Sequence, residues 1–422
     1  MSIARLCTFA STTEQIEIAI SCGAERLILE SPHFSIRSFH TIGTRSASDS
    51  DHNIPDQNKS RCKDLGELVN YARTLKPSIE LIINCDFLFH ERHTPRLTAL
   101  LDALPRFQVN RVRVQDQGLL YFFKQHAPHI SCEFAIEIGN QTVLGSQYYQ
   151  DYAALQCLSM DIGYQDLRQF RKQLHTPLEL QIQGPILIQY SNRRFLSGLF
   201  HPKQDLKTEE APMHVTAEDC QYPKRSYTFY DNEHGHFMFL YFHRCLLNFI
   251  PELSQLKLDS WLIDARGESL DYLRSALCAY RDLAHMYHKA PTSWARNPSA
   301  IAELQKISQK PQKPGFFKVN RTDQIRRKQN PSSAQEWVAT ILDSIKHHWA
   351  TIECEATITV GETLILRHPK GLEKQITIHA ITDLSGKPIE QTTPDSLARI
   401  RWEKQFSPRC KLYRPSDKQN NT

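Results

Sequence analysis

The strongest constraint on the fold is the alternation of strand-like and helix-like segments along the first 290 residues. Short apolar or alternating runs, typical of strands, recur at residues 26–29, 80–84, 111–114, 133–138, 155–160 and 178–182. Segments with apolar residues at helical spacing separate these runs, at residues 65–75, 96–104, 119–126 and 165–174. Strand, helix and strand at this spacing predict a parallel sheet, and six or more repeats favour its closure into a barrel.

The pattern changes beyond residue 290, where a basic and irregular segment precedes a strand-rich tail. Residues 335–349 have helical spacing, whereas the following runs alternate and are separated by turn residues. The sequence therefore predicts a TIM-like (β/α) barrel over residues 1–290, a helical and basic linker over 291–350, and a small C-terminal antiparallel β-barrel over 351–415. No glycine-rich dinucleotide loop follows the first strand, which argues against a Rossmann fold.

Composition limits the class of protein more than its activity. Hydrophobic residues make up 40% and charged residues 23% of the 422 positions, which is typical of soluble globular chains. The net charge of +5 permits an anionic partner without requiring one. The N-terminus lacks the features of a secretory signal, and the 11 cysteines have no close pairs, so we expect reduced thiols, a cytoplasmic location and no membrane span.

One stretch, residues 183–197, has the most informative chemistry of the barrel region. It follows a predicted strand, and Gly184-Pro185 interrupts the regular pattern. A loop beyond this interruption would present four polar side chains, Tyr190, Ser191, Arg193 and Arg194. The C-terminal end of a barrel strand is where active sites are built. On composition alone, an ordinary strand, loop and strand with solvated arginines is the favoured explanation.

The same stretch matches, without gaps, the pattern H-G-A-L-C-x-x-Y-S-G-R-C-x-L-S at Gly184, Tyr190, Ser191, Arg193, Leu196 and Ser197. It resembles the signature of the bacterial collagenase-like peptidases, family thirty-two of the unassigned (U) peptidases. The likeness runs in order from Leu6 to about Trp402. Residues 360–366 are similar to the C-terminal barrel of the branch that hydroxylates the wobble uridine of tRNA. The resemblance therefore implies a role in RNA modification.

The resemblance also implies an iron–sulfur cluster, which relatives hold through four cysteines. In this chain those positions are Leu187, Arg194, Cys220 and Lys224. Cluster binding needs several converging thiolates, and one thiol beside an aliphatic group and two cations cannot provide them. We therefore predict that the cluster is absent, that Cys220 is the remaining cluster-position cysteine, and that no metal or other cofactor is bound.

Residues that close the barrel strands are the candidates for the site, because they face it from the C-terminal ends. The catalytic candidates are Asp161, Asp264 and Arg266, and Glu137 closes a further strand. The predicted substrate-binding residues are Asn84, Asp116, Tyr190, Ser191, Arg193 and Arg194. Converging acids and guanidinium groups could bind a polar anion, such as the prephenate that the resemblance implies as hydroxyl source. The alternative is a set of structural ion pairs.

A basic segment near residues 310–328 is the strongest local signal for nucleic acid. Its predicted RNA-binding residues are Lys318, Arg321, Arg326, Arg327 and Lys328. Cations neutralise phosphates, and the rings of Phe316 and Phe317 could stack on bases. A solvated basic linker explains the segment equally well, but the resemblance to the tRNA-modifying branch favours RNA.

Three classes of function remain open. The first is an RNA-modification protein similar to the tRNA uridine hydroxylases, and the second is a non-catalytic RNA-binding subunit that pairs with a cluster-bearing paralogue. The third is a peptidase, as the family label implies, although the chain contains neither G-x-S-x-G nor H-E-x-x-H. The expected partners are accordingly tRNA or another RNA, or a paralogous family member, and not a membrane.

Overall fold

A computed structural model describes the chain except for residues 1–2, 38–56, 138, 140, 201–212, 219–224, 233, 295–297, 309, 319–335, 370 and 416–422, and except for the side chains of 57–63, 197, 198 and 200. The chain forms two compact units, Met1–Asp323 and Gln324–Thr422. Among the described residues, no helix is both long and apolar enough to cross a bilayer.

The first unit is built on a closed sheet. Its strands are β1 (Arg5–Ala10), β2 (Arg26–Leu29), β3 (Glu80–Cys85), β4 (Arg111–Val114), β5 (Ser131–Ala135), β6 (Leu155–Leu158), β7 (Leu178–Ser191), β8 (Met213–Glu218), β9 (Ser226–Asn232), β10 (Gly235–Cys245), β11 (Ser260–Ile263) and β12 (Gln312–Lys313). Strands β1 to β7 pair in sequence order and in parallel, and β11 pairs in parallel with both β7 and β1. This closure confirms the predicted TIM-like barrel.

Helices cover the outside of the barrel. They are α1 (Thr13–Ser21), α2 (Gln57–Leu75), α3 (Thr94–Phe107), α4 (Gln117–His126), α5 (Val143–Tyr148), α6 (Tyr164–Gln173), α7 (Phe195–Phe200), α8 (Ile250–Leu256), α9 (Leu270–Lys289) and α10 (Pro298–Ile307). Side-chain oxygens cap the first and last long helices, since Thr12 accepts a hydrogen bond from the Gln15 amide (3.3 Å) and Ser269 from the Tyr272 amide (3.2 Å). Helix α2 begins eight residues before the start predicted from apolar spacing.

The strand that was predicted to end near Gly184 continues to Ser191, so the predicted loop is wrong. Gly184 has a φ of 119°, and a Cβ at this position would collide with the Asp264 carbonyl oxygen. Its lack of a side chain lets β7 pass β11 at close range and continue beyond the barrel. The distal half of β7 then pairs antiparallel with β10. Strand β10 also pairs with β9, and β9 pairs with β8, so that the sheet extends beyond the barrel.

The second unit is an antiparallel sheet. Its strands are β13 (Glu336–Ile345), β14 (Trp349–Cys354), β15 (Thr363–Arg367), β16 (Glu373–Thr377), β17 (Ile381–Thr382), β18 (Pro388–Ile389), β19 (Ser396–Arg401) and β20 (Lys411–Arg414). The helix predicted over 335–349 is wrong, because its described part forms β13, a turn and the start of β14. Val338 and Ile341 are fully buried in this sheet, and His347 adopts a left-handed φ of 66° in the turn. Packing of β-branched side chains here overrides their helical spacing.

Candidate functional site

Polar side chains gather at the mouth of the barrel, where the strands end. Arg266 lies just after β11 and is almost enclosed by its partners. Its Nε and Nη2 donate to the two carboxylate oxygens of Asp264 (2.9 and 2.7 Å), and its Nη1 donates to Glu30 (2.8 Å). The guanidinium also stacks 3.5 Å from the ring centroid of Phe9. These contacts fix the position and orientation of Arg266.

Burial and ion pairing act in opposite directions on the pKa values of the carboxyl groups in the mouth. Burial by itself raises the pKa of Asp264, but Arg266 and Arg37 outweigh it and hold that pKa below its ordinary value. For Glu30 the balance is reversed, because burial raises its pKa more than Arg266 lowers it. Two carboxyl groups that share one guanidinium therefore differ in acidity. Such a separation is a feature of sites that transfer or share protons.

Glu30 was not among the residues predicted from the sequence, although it directly follows the strand at 26–29. It accepts hydrogen bonds from Ser35 Oγ (2.6 Å) and Asn84 Nδ2 (2.9 Å). The other side-chain atom of Asn84, its buried Oδ1, has no hydrogen-bond partner in the part of the chain that the structure describes. Asn84 therefore joins the predicted pair Asp264 and Arg266 through Glu30, with one buried acceptor that makes no hydrogen bond to the described residues.

Arg37 connects this group to a further strand end. Its Nη1 donates to Asp264 (3.3 Å), and its Nη2 pairs with Glu137. The guanidinium lies 4.9 Å from the ring centroid of Phe239, on the hairpin that extends β7. Burial lowers the pKa of Arg37 to about 10. The structure thus brings Glu137 together with Asp264 and Arg266 through an arginine from the loop after β2.

A small pocket adjoins these charges. Its lining combines the ring of Phe9, the guanidinium of Arg113, several carbonyl and carboxyl groups, and apolar side chains. The residues are Phe9, Asp86, Arg113, Gln115, Ala135, Ile136, Glu137, Cys157, Leu158, Met160, Gln181 and Leu262. A small molecule with one apolar face and a few polar groups matches this lining.

A second charged layer lies deeper, inside the barrel. Arg26 Nη1 donates to Glu179 (2.7 Å) and Ser260 (2.8 Å), and its Nη2 pairs with Glu133. Arg113 Nη2 donates to Glu133 (2.9 Å) and pairs with Glu179. Burial opposes ionisation of Glu179, but Arg113 and Arg26 outweigh it and lower its pKa. This buried group continues outward, because Arg26 Nε also pairs with Glu80 (3.2 Å) and Arg111 pairs with both Glu80 (3.2 Å) and Glu133 (3.5 Å).

The sequence profile of peptidase family U32 matches residues 11–327. The chain belongs to peptidase family U32. It is 19% identical over 326 residues to tRNA hydroxylation protein P1 of Bacillus subtilis (strain 168). The aligned region covers 73% of this chain and 69% of that protein. Among solved structures, it is similar to the C-terminal domain of a U32 protein of Geobacillus thermoleovorans (16% identity, 19% of this chain, 99% of that chain, TM-score 0.18). It is also similar to thiamine phosphate pyrophosphorylase of Pyrococcus furiosus (10% identity, 67% and 96%, TM-score 0.35).

Two of the four positions at which the resemblance implies cluster cysteines lie in the described part of this chain, and neither offers a thiolate ligand. Leu187 lies on β7, where it is buried in the apolar core and pairs across the ladder with Phe239. Arg194 directly precedes α7, and Cys220 and Lys224 lie outside the described residues. Nowhere in the described ranges do three or more His, Cys, Asp or Glu side chains converge in a way that could hold a metal ion.

Two further predicted acids of this U32 protein lie apart from the Asp264 group. Asp161 accepts a hydrogen bond from Gln141 (3.2 Å), and burial raises its pKa although Arg244 opposes the shift. Arg244 is fully buried beside it, and its Nη1 donates to the Met160 carbonyl (3.4 Å). Asp116 instead caps α4, because its carboxylate accepts from the Leu119 amide (2.8 Å).

The polar residues of the signature stretch lie on the hairpin side of the mouth. Tyr190 donates to the His234 carbonyl (2.9 Å) and stacks on Phe237, with 4.9 Å between ring centroids. Burial raises the pKa of Tyr190, and the charges of Asp86 and Asp116 act in the same direction. Tyr190 therefore faces the rim of the mouth. The remaining three, Ser191, Arg193 and Arg194, follow at the strand end and in the turn before α7.

The predicted RNA segment is described only in its first part. Lys318 donates to Glu252 (2.7 Å) and lies over the ring of Tyr164 (4.7 Å). Phe317 is fully buried, so the prediction that its ring stacks on a base is wrong in this conformation. Phe316 packs partly buried beside Met160. The other predicted RNA-binding residues, Arg321, Arg326, Arg327 and Lys328, lie outside the described residues.

Proposed function

We propose that this protein acts in the hydroxylation of the wobble uridine of tRNA and that it does so without an iron–sulfur cluster. The similarity to tRNA hydroxylation protein P1 over 326 residues supports the reaction. The position of Leu187 supports the proposed absence of the iron–sulfur cluster. An aliphatic side chain that fills the core opposite Phe239 leaves neither a ligand atom nor room for a sulfide-bridged metal at that point.

Mass spectrometry of tRNA nucleosides tests the role in modification. A strain that lacks the gene should lose 5-hydroxyuridine derivatives, and the wild-type gene should restore them. The Arg266→Met variant is expected not to restore them, because it removes the guanidinium that holds Asp264 and Glu30. Unchanged nucleosides in the deletion strain, with every relative also removed, would contradict the proposal.

The second candidate is a binding subunit that pairs with a cluster-bearing paralogue. The observation that favours it is the contrast between the two parts of the site. The mouth keeps an ordered set of paired charges and a small pocket, whereas Leu187 and Arg194 replace thiolate ligands. Expression of this gene alone, in a strain without relatives, separates the candidates. Restored hydroxylation indicates an enzyme in its own right, and restoration only with a relative present indicates a subunit.

The peptidase alternative has one arrangement in its favour. Ser191, His236 and Asp231 are direct neighbours across β7, β10 and β9, and His236 Nδ1 lies 2.6 Å from Asp231. However, the Ser191 hydroxyl oxygen accepts a hydrogen bond from the Arg193 amide (3.2 Å), which turns it towards its own chain. A fluorophosphonate probe tests the alternative. Labelling at Ser191 that disappears in His236→Ala would support a hydrolase, and no labelling would remove it.

A further inference from the structure

Two cysteines that are far apart in sequence meet on the outside of the barrel. Cys22 is the C-terminal cap residue of α1, and Cys278 lies within α9. Their Sγ atoms are 3.1 Å apart, which is closer than the van der Waals radii of two sulfur atoms allow for a resting contact. Since 256 residues separate them, spacing along the chain gives no sign of this pair.

The two thiols differ in access to solvent. Cys22 is 2% exposed and lies behind Cys278, which is partly exposed. The Cys22 thiol also contacts the Arg274 carbonyl oxygen at 3.8 Å. An oxidant from solution therefore reaches Cys278 first, and Cys22 is in place to react with it afterwards.

We propose that Cys22 and Cys278 are a disulfide-forming pair, with a low-molecular-weight disulfide as the oxidant. The Cys278 thiolate attacks oxidised glutathione, forms a mixed disulfide and releases one glutathione. Cys22 then loses its proton and attacks the Cys278 sulfur, which releases the second glutathione. The two protein thiols together lose two electrons, and one molecule of oxidised glutathione is reduced to two molecules of glutathione.

The Cys22–Cys278 disulfide would link the two helices that follow the first and last strands of the closed barrel. Helix α1 follows β1 and helix α9 follows β11, and these two strands pair with each other. A disulfide here joins the first helix of the barrel to the helix after its last strand. Cross-links that span a long stretch of chain restrict the unfolded state most strongly. The oxidised protein should accordingly unfold at a higher temperature than the reduced protein.

The chemistry also predicts a pH dependence. Burial raises the pKa of Cys22 to about 11, the neighbouring Cys278 adds to the shift, and the charge of Arg274 opposes it. Arg281, which pairs with Asp282, also faces the two thiols. Cys22 is therefore a thiol at neutral pH, and its deprotonation limits the second step. Closure of the mixed disulfide should become faster as the pH rises towards that value.

Peptide mapping after oxidation tests the proposal. The reduced full-length protein is incubated with oxidised glutathione, alkylated in acid and digested with trypsin. Peptide 275–281 contains Cys278 as its one cysteine, and it should appear linked to peptide 6–26. Because peptide 6–26 contains both Cys7 and Cys22, a second cleavage at Glu14 or Glu17 assigns the bond. The linked peptide and the rise in melting temperature should both disappear in Cys22→Ala and in Cys278→Ala.

The control variant is Cys354→Ala, which removes a buried cysteine of the second unit and should leave both signals intact. The half-exposed Cys278 is the safer of the two test positions for folding. Cys278 that remains glutathionylated without closure, or that links to any cysteine other than Cys22, would overturn the proposal. A melting temperature that rises equally in Cys278→Ala would also overturn it.

Discussion

The base and the mouth of the barrel both bury arginines and carboxylates, but they arrange them differently. In the base, Arg26 and Arg113 pair with Glu133 and Glu179, and each carboxylate contacts both guanidinium groups. In the mouth, Arg37 and Arg266 pair with Glu30, Glu137 and Asp264, and the charge of Asp86 acts on both arginines. The mouth also adjoins a small pocket and contains a carboxyl group with a raised pKa.

This difference separates a structural network from a candidate site built from the same residue types. A set in which each buried carboxylate contacts two guanidinium groups leaves no unpaired acid for a ligand, and it contributes only Arg113 to the lining of the pocket. An unbalanced set beside a pocket can exchange protons or bind a polar molecule at low cost in reorganisation. The comparison therefore predicts that changes in the base affect folding and that changes in the mouth affect function.

The largest effect is expected for Arg26→Met. The change leaves Glu179 with Arg113 as its arginine partner and Glu133 with Arg113 and the more distant Arg111, and breaking such a buried set costs about 3–5 kcal/mol. Urea unfolding of the purified variant measures the loss. The double variant Arg26→Met with Glu179→Gln should recover part of it, because it removes one of the stranded charges. Wild-type stability of the single variant would show that the base network is dispensable.

A smaller loss of stability is expected for Arg266→Met in the mouth. Asp264 and Glu30 lose a partner, but Glu30 lines a small pocket beside Arg266 from which water can hydrate it, so we expect about 1–3 kcal/mol. The effect on tRNA hydroxylation should be much larger than the effect on folding. Arg266→Lys keeps the charge and loses the paired geometry, and it is the matched control. If Arg266→Met unfolds as readily as Arg26→Met, the two layers do not differ in the proposed way.

A third prediction concerns pH and the buried Glu30. Because the folded-state pKa of Glu30 is raised, its protonated form favours folding, and this stability is lost as the pH rises through the folded pKa. Glu30→Gln cannot ionise, so the variant should lack that part of the pH dependence. The measurement is urea unfolding from acidic to neutral pH. Asp264 contributes with the opposite sign, since its lowered pKa gives stability that is lost on acidification. Asp264→Asn should therefore lack that loss of stability at acidic pH.

The smallest loss of stability is expected for changes at Asp116. These changes test whether this predicted binding residue only caps a helix. Asp116→Ala removes the cap of α4 and should cost about 1 kcal/mol. Asp116→Asn can still cap the helix and should be close to wild type in thermal unfolding. If both variants abolish tRNA hydroxylation while only the alanine variant is destabilised, Asp116 also has a role in binding.

The barrel could be predicted from the sequence because each strand and helix has its own local period. The run at 26–29, for example, is apolar on both faces after Arg26 and forms a fully buried strand. The passage of β7 beyond Gly184 could not be predicted, because it depends on the close approach of the Asp264 carbonyl from a distant strand. The strand β13 was missed for a similar reason, since its partners β14 and β20 select the extended conformation.

The site was predictable only in part. Asn84, Asp264 and Arg266 follow from the rule that strand ends face the mouth. Glu30 follows the same rule but was missed, and Arg37 lies seven residues further on, in a loop whose path no local pattern determines. Asp116 was assigned to binding because strand-end position does not distinguish a ligand contact from a helix cap. That distinction depends on the direction of the side chain.

The central claim is that this U32 protein takes part in tRNA hydroxylation without a cluster. Its most direct test is the iron and acid-labile sulfide content of the full chain purified without oxygen, beside a relative that keeps all four cysteines. The account predicts a colourless protein with far less than one iron per chain, next to a brown, iron-loaded relative. Stoichiometric iron and sulfide in this protein would contradict the account, whatever Leu187 contributes to the core.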